Sequence, residues 1–197
     1  MAGRLPTRRE RLRQEMTAEI VAAARLLLEK NGPQAISVRA IARQVGVTPA
    51  ALYRYFPGLD ALIGALSDSV LSELCEAVES ARDQSADRGP ADRIAGMARA
   101  FRGWALDHPA DFGFVLGPGA FRAARWQPTA RLLGLFLPEL AGSPGDGLAP
   151  GVFLPLWATL YGLVVLEVSG DPEDLPADIG QLYAAALAGF GERLPGP

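Results

Sequence analysis

Apolar side chains recur along most of this chain at intervals of three and four residues, the spacing of helices that bury one stripe. Met16, Ile20, Ala24, Leu27 and Leu28 define the first stripe. They predict a helix from about Arg9 to Lys30, stopped by Asn31-Gly32. Val38, Ile41, Ala42 and Val45 form a second, shorter stripe. Ser37 stands just before it, where a hydroxyl caps the free N–H groups of a first turn. Gly46 supplies the left-handed backbone that ends this helix. Thr48-Pro49 then reads as the cap and first position of a third helix. That helix turns Leu52 and Phe56 inward and leaves Pro49, Ala50, Tyr53 and Arg54 outward.

A fourth helix begins near Gly58-Leu59-Asp60 and continues through Leu62, Leu66, Val70, Leu74 and Val78 to about Arg82. Ser85 to Asp92 is a break. Ile94, Met97, Ala98, Phe101 and Trp104 mark a fifth helix ending at His108-Pro109. A short aromatic segment, Asp111 to Leu116, precedes Gly117-Pro118-Gly119. Phe121 to Leu140 reads as helix and Gly142 to Gly151 as a flexible loop. Two last helices are expected over Val152–Ser169 and Leu175–Leu194, separated by Gly170-Asp171-Pro172. No alternation of period two is long enough to argue for a sheet, and no internal repeat is seen. The expected fold class is all-α.

Two short helices about a glycine turn, the second presenting small residues at its start with Tyr and Arg behind, suit insertion into a DNA major groove. This is a helix-turn-helix. Charge supports it independently. Residues 1–56 hold ten Arg or Lys against four Glu, and the remainder nine against eighteen acids, so a net charge of −3 hides a basic N-terminal third. Arg4, Arg8, Arg9, Arg11 and Arg13 are read as a cluster ahead of the first helix, able to neutralise phosphates or drape into a minor groove.

Other chemistries find little support. Cys75 is the sole cysteine, which excludes an internal disulfide and a cysteine-based zinc site, and its apolar neighbours Leu71, Leu74 and Val78 place it in a core. Neither a metal nor a cofactor is expected. His108 is the sole histidine, and there is no phosphate loop, GxSxG, HExxH or convergent carboxylate pair, so an enzyme is not expected. The basic N-terminus has no apolar run after it, which argues against a secretory signal. Val152 to Leu166 is free of charge but short of the roughly 20 residues of a bilayer span, so no membrane partner is expected and a cytoplasmic location is.

The N-terminal part, about residues 9–66, resembles the DNA-binding domain of TetR-family transcriptional regulators. The likeness rests on the long helix ending at Asn31-Gly32, on Ser37-Val38-Arg39-x-Ile41-Ala42, on Gly46-Val47, and on Leu52-Tyr53-x-Tyr55-Phe56. Farther on, Trp157-x-x-x-Tyr161-Gly162 with Leu166-Glu167, and His108-Pro109-x-x-Phe112, are similar to a TetR-type ligand-domain class with a Trp-His-Gly motif. That class carries His where this chain has Tyr161. The resemblance implies a helix-turn-helix domain over 1–57 and a ligand-binding and dimerisation domain over 58–197. It implies that Arg39 reaches a base edge or phosphate, and that Pro49, Ala50 and Tyr53 face bases. Thr48 and Tyr55 would hold phosphates, joined in the DNA-binding set by Ser37, Arg8 and Arg9. Members often carry Lys in the turn before the fourth helix; Leu59 stands there, so one phosphate contact is expected to be missing, with the N-terminal arginines compensating.

The middle of the chain is rich in aromatic residues, which an ordinary helical core accounts for in large part. Met97, Phe101, Trp104, Phe121, Trp126, Leu133, Trp157 and Tyr161 are the candidates for lining an apolar ligand cavity. The ionisable groups of this stretch are mainly Arg, so the expected effector is hydrophobic and largely neutral. Small residues on the last two helices, Ala158, Gly162 and Val165, then Ala184, Ala185, Ala188 and Gly189, suit close packing in a two-fold homodimer. The function expected is a homodimeric, ligand-released repressor on a palindromic double-stranded operator. The alternative is a small-molecule binding protein with weak or no DNA affinity.

Overall fold

The computed structural model describes residues 7–117, 127–141, 149–170 and 177–191, and within them every regular element is a helix or turn. The chain divides into two compact units, Met1–Val70 and Leu71–Pro197. In the first lie α1 (Arg8–Asn31), a 3₁₀ turn (Pro33–Ala35), α2 (Val38–Val45), α3 (Pro49–Leu52) and the start of α4 (Leu59–Asp83). The second holds the rest of α4, then α5 (Pro90–Asp107), α6 (Pro109–Val115), α7 (Gln127–Ala141), α8 (Ala149–Ser169) and α9 (Ile179–Gly191).

Thr7 sets where α1 begins. Its side-chain oxygen accepts from the Glu10 N–H at 3.3 Å, while its own N–H donates to the Glu10 carboxylate at 2.6 Å. The bond from the Thr7 backbone N–H, and next the Thr7 hydroxyl, hold the Glu10 carboxyl below the usual carboxylate range. Arg8, Arg9, Arg11 and Arg13 therefore lie within α1, not in an arm ahead of it; Arg4 lies outside the described residues. Ile20, Ala24 and Leu28 are fully buried, and with Ile41, Ala42, Leu52, Leu62 and Leu66 they form the interior of the first unit.

The second helix of the pair is shorter than its sequence suggests, ending at Leu52. Beyond it the chain tightens, with Arg54 N–H bonding to the Ala51 carbonyl at 3.2 Å and Tyr55 N–H to the Leu52 carbonyl at 2.9 Å. Pro57 follows and disfavours a helical Phe56. Leu52 and Phe56 are buried nonetheless, since the tight turn carries on in the helix direction.

In the second unit α5 is central and packs against α6, α7, α8 and α9. The aromatic segment after His108 is itself a helix, opened by Pro109 at a position where its missing N–H is no loss. Gly117 closes it so tightly that a Cβ there would lie 2.5 Å from the Gly113 carbonyl oxygen. α8 starts at Ala149, three residues before the expected start, so residues 149–151 belong to the helix and not to a loop; again a proline, Pro150, stands in its first turn. α9 starts at Ile179, later than expected, because the Asp178 carboxylate accepts from the Gln181 N–H at 3.1 Å and caps it there. Residues 118–126 and 142–148, and with them Phe121 and Trp126, lie outside the described residues. Cys75 is buried, and burial pushes its thiol up, which suits packing more than reactivity.

Candidate nucleic-acid interface and aromatic interior

Local capping positions the outward side chains of the first unit. The Ser37 hydroxyl oxygen accepts from the Ala40 N–H at 3.2 Å and opens α2. Gly46, at φ 76° and ψ 27°, closes it, and the Val47 N–H reaches back to the Ala42 carbonyl at 2.9 Å. The Thr48 hydroxyl oxygen accepts from the Ala51 N–H at 3.3 Å and opens α3. Both hydroxyls keep a proton to donate outward. With Ile41, Ala42 and Leu52 held inside, Arg39, Thr48, Pro49, Ala50 and Arg54 are exposed, and Tyr53 is 56% exposed. Ser37, Arg8 and Arg9 are also exposed, while Tyr55 is half-buried. Arg8, Arg9 and Tyr55 meet in a cleft of about 670 Å³, lined in addition by Leu12, Arg13 and Arg54. Arg13 belongs to the basic cluster read from the sequence and Arg54 to the outward face of the second short helix; that the two line one cleft is not legible from their spacing.

The second unit has an aromatic interior. Phe101 on α5 meets Trp157 on α8 at 5.1 Å between ring centroids and Phe112 on α6 at 6.0 Å. Trp157 continues to Tyr161 at 6.3 Å, to Phe136 at 5.9 Å and to Phe153 at 6.5 Å. Of the expected cavity residues, Met97, Phe101, Trp104 and Trp157 are buried and Tyr161 is half-buried. Trp104 lies against His108, at 5.0 Å. Leu133 is only half-buried, because Leu132 and Phe136, one turn apart, form the inward face of α7. Phe112, Phe136 and Phe153 belong to this cluster and are not singled out by spacing alone.

Tyr161 donates its hydroxyl to the Leu116 carbonyl at the end of α6, and burial pushes its pKa up. Tyr183 donates to the Ala98 carbonyl at 2.6 Å and is likewise pushed up by burial. The Arg102 guanidinium sits 5.6 Å from the Tyr183 ring centre and forks onto Glu167 at 2.7 and 2.5 Å. That carboxylate holds Arg102 above its ordinary value. Both side chains are less than a third exposed, so the pair ties α5 to α8 in poorly screened surroundings. Glu167→Ala leaves Arg102 without its acceptor and should lower stability by about 2 kcal/mol, with Glu167→Gln milder, read by chemical denaturation.

Along α8 and α9, Pro155, Leu156, Thr159, Ala185, Ala186, Gly189 and Phe190 line a groove of about 300 Å³. Leu154, Leu166 and Leu182 on these helices are about half exposed, at 50, 52 and 45%. Ala158, Ala184, Ala185 and Ala188 are exposed as well. Among the described residues no group of His, Cys, Asp and Glu is placed to hold a metal ion, and no helix is long and apolar enough to cross a membrane.

A chain with an exposed helix-turn-helix in one unit and, among the described residues, only helices and turns in the other belongs to the class of DNA-binding regulators. Residues 20–66 match the family model for bacterial regulatory proteins of the tetR family, and residues 94–190 match that for a tetracyclin repressor-like C-terminal domain. The chain belongs to the TetR family of transcriptional regulators. It is similar to the HTH-type transcriptional regulator Rv1816 of Mycobacterium tuberculosis, with 29% identity covering 90% of this chain and 92% of that one. Among solved structures it is similar to the regulatory protein SCO4313, at 29% identity and a TM-score of 0.73, covering 93% of this chain and 98% of the other. A protein from Rhodococcus sp. RHA1 follows at 28% identity and a TM-score of 0.71, covering 91 and 95%.

Proposed function

We propose that this regulator is a homodimeric repressor, released from a palindromic operator when a hydrophobic, largely neutral small molecule enters its C-terminal domain. The observation that carries the DNA half is the exposure of Arg39, Pro49, Ala50 and Tyr53 around two capped helices. Arg39 and Tyr53 read bases, Pro49 and Ala50 meet thymine methyls, and Ser37, Thr48, Tyr55, Arg8 and Arg9 hold phosphates. The domain over 1–57 binds DNA; that over 58–197 binds ligand and dimerises, in a protein that works in the cytoplasm. One short helix reads only a few base pairs, so two are needed, about 34–36 Å apart for half-sites one turn apart. The half-exposed leucines and small residues of α8 and α9 support that pairing.

The aromatic residues of the second unit, with candidates Met97, Phe101, Trp104, Leu133, Trp157 and Tyr161 among those described, support an apolar effector site. Ligand and operator then oppose each other by linkage, each weakening the other by the same factor. Effector binding acts through α4, whose shift alters the spacing of paired recognition surfaces. Titrating full-length protein on the promoter duplex flanking its own gene tests this. A stabilising apolar compound should weaken DNA binding at least about fivefold. Unchanged DNA affinity at saturating compound would sink the coupling, and stabilisation by hydrophilic anions alone would sink the apolar site. Sedimentation of a strict monomer would remove the dimer.

Leu59 favours a second reading, a small-molecule binding protein with weak DNA affinity, because it leaves the start of α4 without a cationic side chain. Binding of no duplex at low salt would decide for it.

A further inference from the structure

Two tyrosines of the second unit each donate a hydroxyl to a backbone carbonyl on another helix, in different surroundings. Tyr183 on α9 bonds to the Ala98 carbonyl at 2.6 Å, is 2% exposed and has the Arg102 guanidinium over its ring. Tyr161 on α8 bonds to the Leu116 carbonyl and is only half-buried. Leu116 is the C-cap of α6, so no later turn of that helix supplies its carbonyl with a donor. Gly117, directly after it, folds back onto Gly113 and holds that carbonyl in place. The Phe112 and Trp157 rings, both buried, lie 6.3 Å from the Tyr161 ring centre. Burial pushes the Tyr161 pKa up, so its hydroxyl keeps its proton at neutral pH. The Tyr161–Leu116 bond is therefore a reachable polar pair at the edge of an aromatic interior.

A group that enters such a bond must accept from the hydroxyl and donate to the carbonyl, or one of the two is left unpaired. A hydroxyl does both. An ether or ketone oxygen only accepts, which strands the Leu116 carbonyl, and an ammonium only donates, which strands the Tyr161 hydroxyl. A carboxylate sets a second acceptor against the carbonyl. The flanking Phe112 and Trp157 rings favour a ligand that is itself aromatic. We infer that the effector is an aromatic compound bearing a hydroxyl, and that this hydroxyl is read between Tyr161 and the Leu116 carbonyl. This rests on the reading of an apolar effector site in the second unit. It adds the group by which that site tells one apolar compound from another, and makes Tyr161 a specificity residue.

The test titrates three probes into full-length wild-type protein by calorimetry: β-naphthol, its methyl ether, and β-methylnaphthalene, in which a methyl replaces the hydroxyl. β-Naphthol should bind about tenfold or more tighter than the methyl ether, which leaves a buried carbonyl unpaired. Place is read by NMR on protein whose tyrosines are isotopically labelled at the carbon bearing the hydroxyl. The Tyr161 and Tyr183 signals are identified by their loss in Tyr161→Phe and Tyr183→Phe. Saturating β-naphthol should shift the Tyr161 signal more than saturating β-methylnaphthalene does, and leave the Tyr183 signal in place. A Tyr161 signal that responds alike to both, or equal affinity for β-naphthol and its ether, would overturn the inference and leave the apolar site standing. If none of the three probes binds, the apolar reading falls and the inference falls with it.

Discussion

Phe101→Ala should destabilise the second unit by about 3–5 kcal/mol, the largest stability effect expected of a single substitution here. The ring is 1% exposed and touches Phe112 and Trp157 from two other helices. Those partners are themselves buried and held by further ring contacts, so they are poorly able to close in on the space a truncated side chain leaves. The cost is then the lost transfer energy of the ring plus most of the cavity term. A shift of this size corresponds to a fall in melting temperature of roughly 10 °C for a chain of this length. Phe101→Leu keeps most of the volume and should cost less than about 1.5 kcal/mol. Urea denaturation of the three proteins checks the ordering; equal midpoints would mean that the aromatic cluster is not a packed interior.

Arg39→Ala should reduce operator affinity about thirtyfold or more while leaving the fold intact. Arg39 is exposed on α2, and Ala is the better helix former, so the helix itself gains slightly. A well-placed arginine discriminates between bases by about 1–3 kcal/mol, and a dimer on a palindrome loses that twice. Anisotropy titration on promoter and scrambled duplexes separates two roles for the side chain. If Arg39 reads a base, its removal lowers only promoter affinity. If it holds a phosphate, both affinities fall together and the salt slope becomes shallower. Wild-type affinity for the promoter in the variant would remove Arg39 from the interface.

The helix-turn-helix is legible because its determinants are local. Ser37, Gly46 and Thr48-Pro49 each act on backbone within four residues, and the stripe Val38, Ile41, Ala42, Val45 needs no partner to be recognised. The TetR-family likeness rests on the same residues, and both family matches bear it out. The same locality operates at Thr7. Three residues on, Glu10 completes a capping box that draws Arg8 to Arg13 into the helix, where arginine content alone suggests an arm. Short-range competition also explains the ends of α3 and α9, where a tight turn before Pro57 and the Asp178 cap outweigh a longer apolar periodicity.

By itself, then, the chain's periodicity and punctuation determined that this is a helical protein with a basic, outward-facing helix pair. Helical period and caps depend on neighbours in sequence, whose separation in space is fixed by covalent geometry. The interior of the second unit depended on contacts that sequence spacing does not constrain. Trp157 against Phe101, Tyr161 on the Leu116 carbonyl and Glu167 on Arg102 join residues 56, 45 and 65 positions apart. The arginine cleft likewise exists only because the turn after α3 returns to α1. An aromatic residue on a helical stripe has many possible partners, and only the packing of whole helices selects among them.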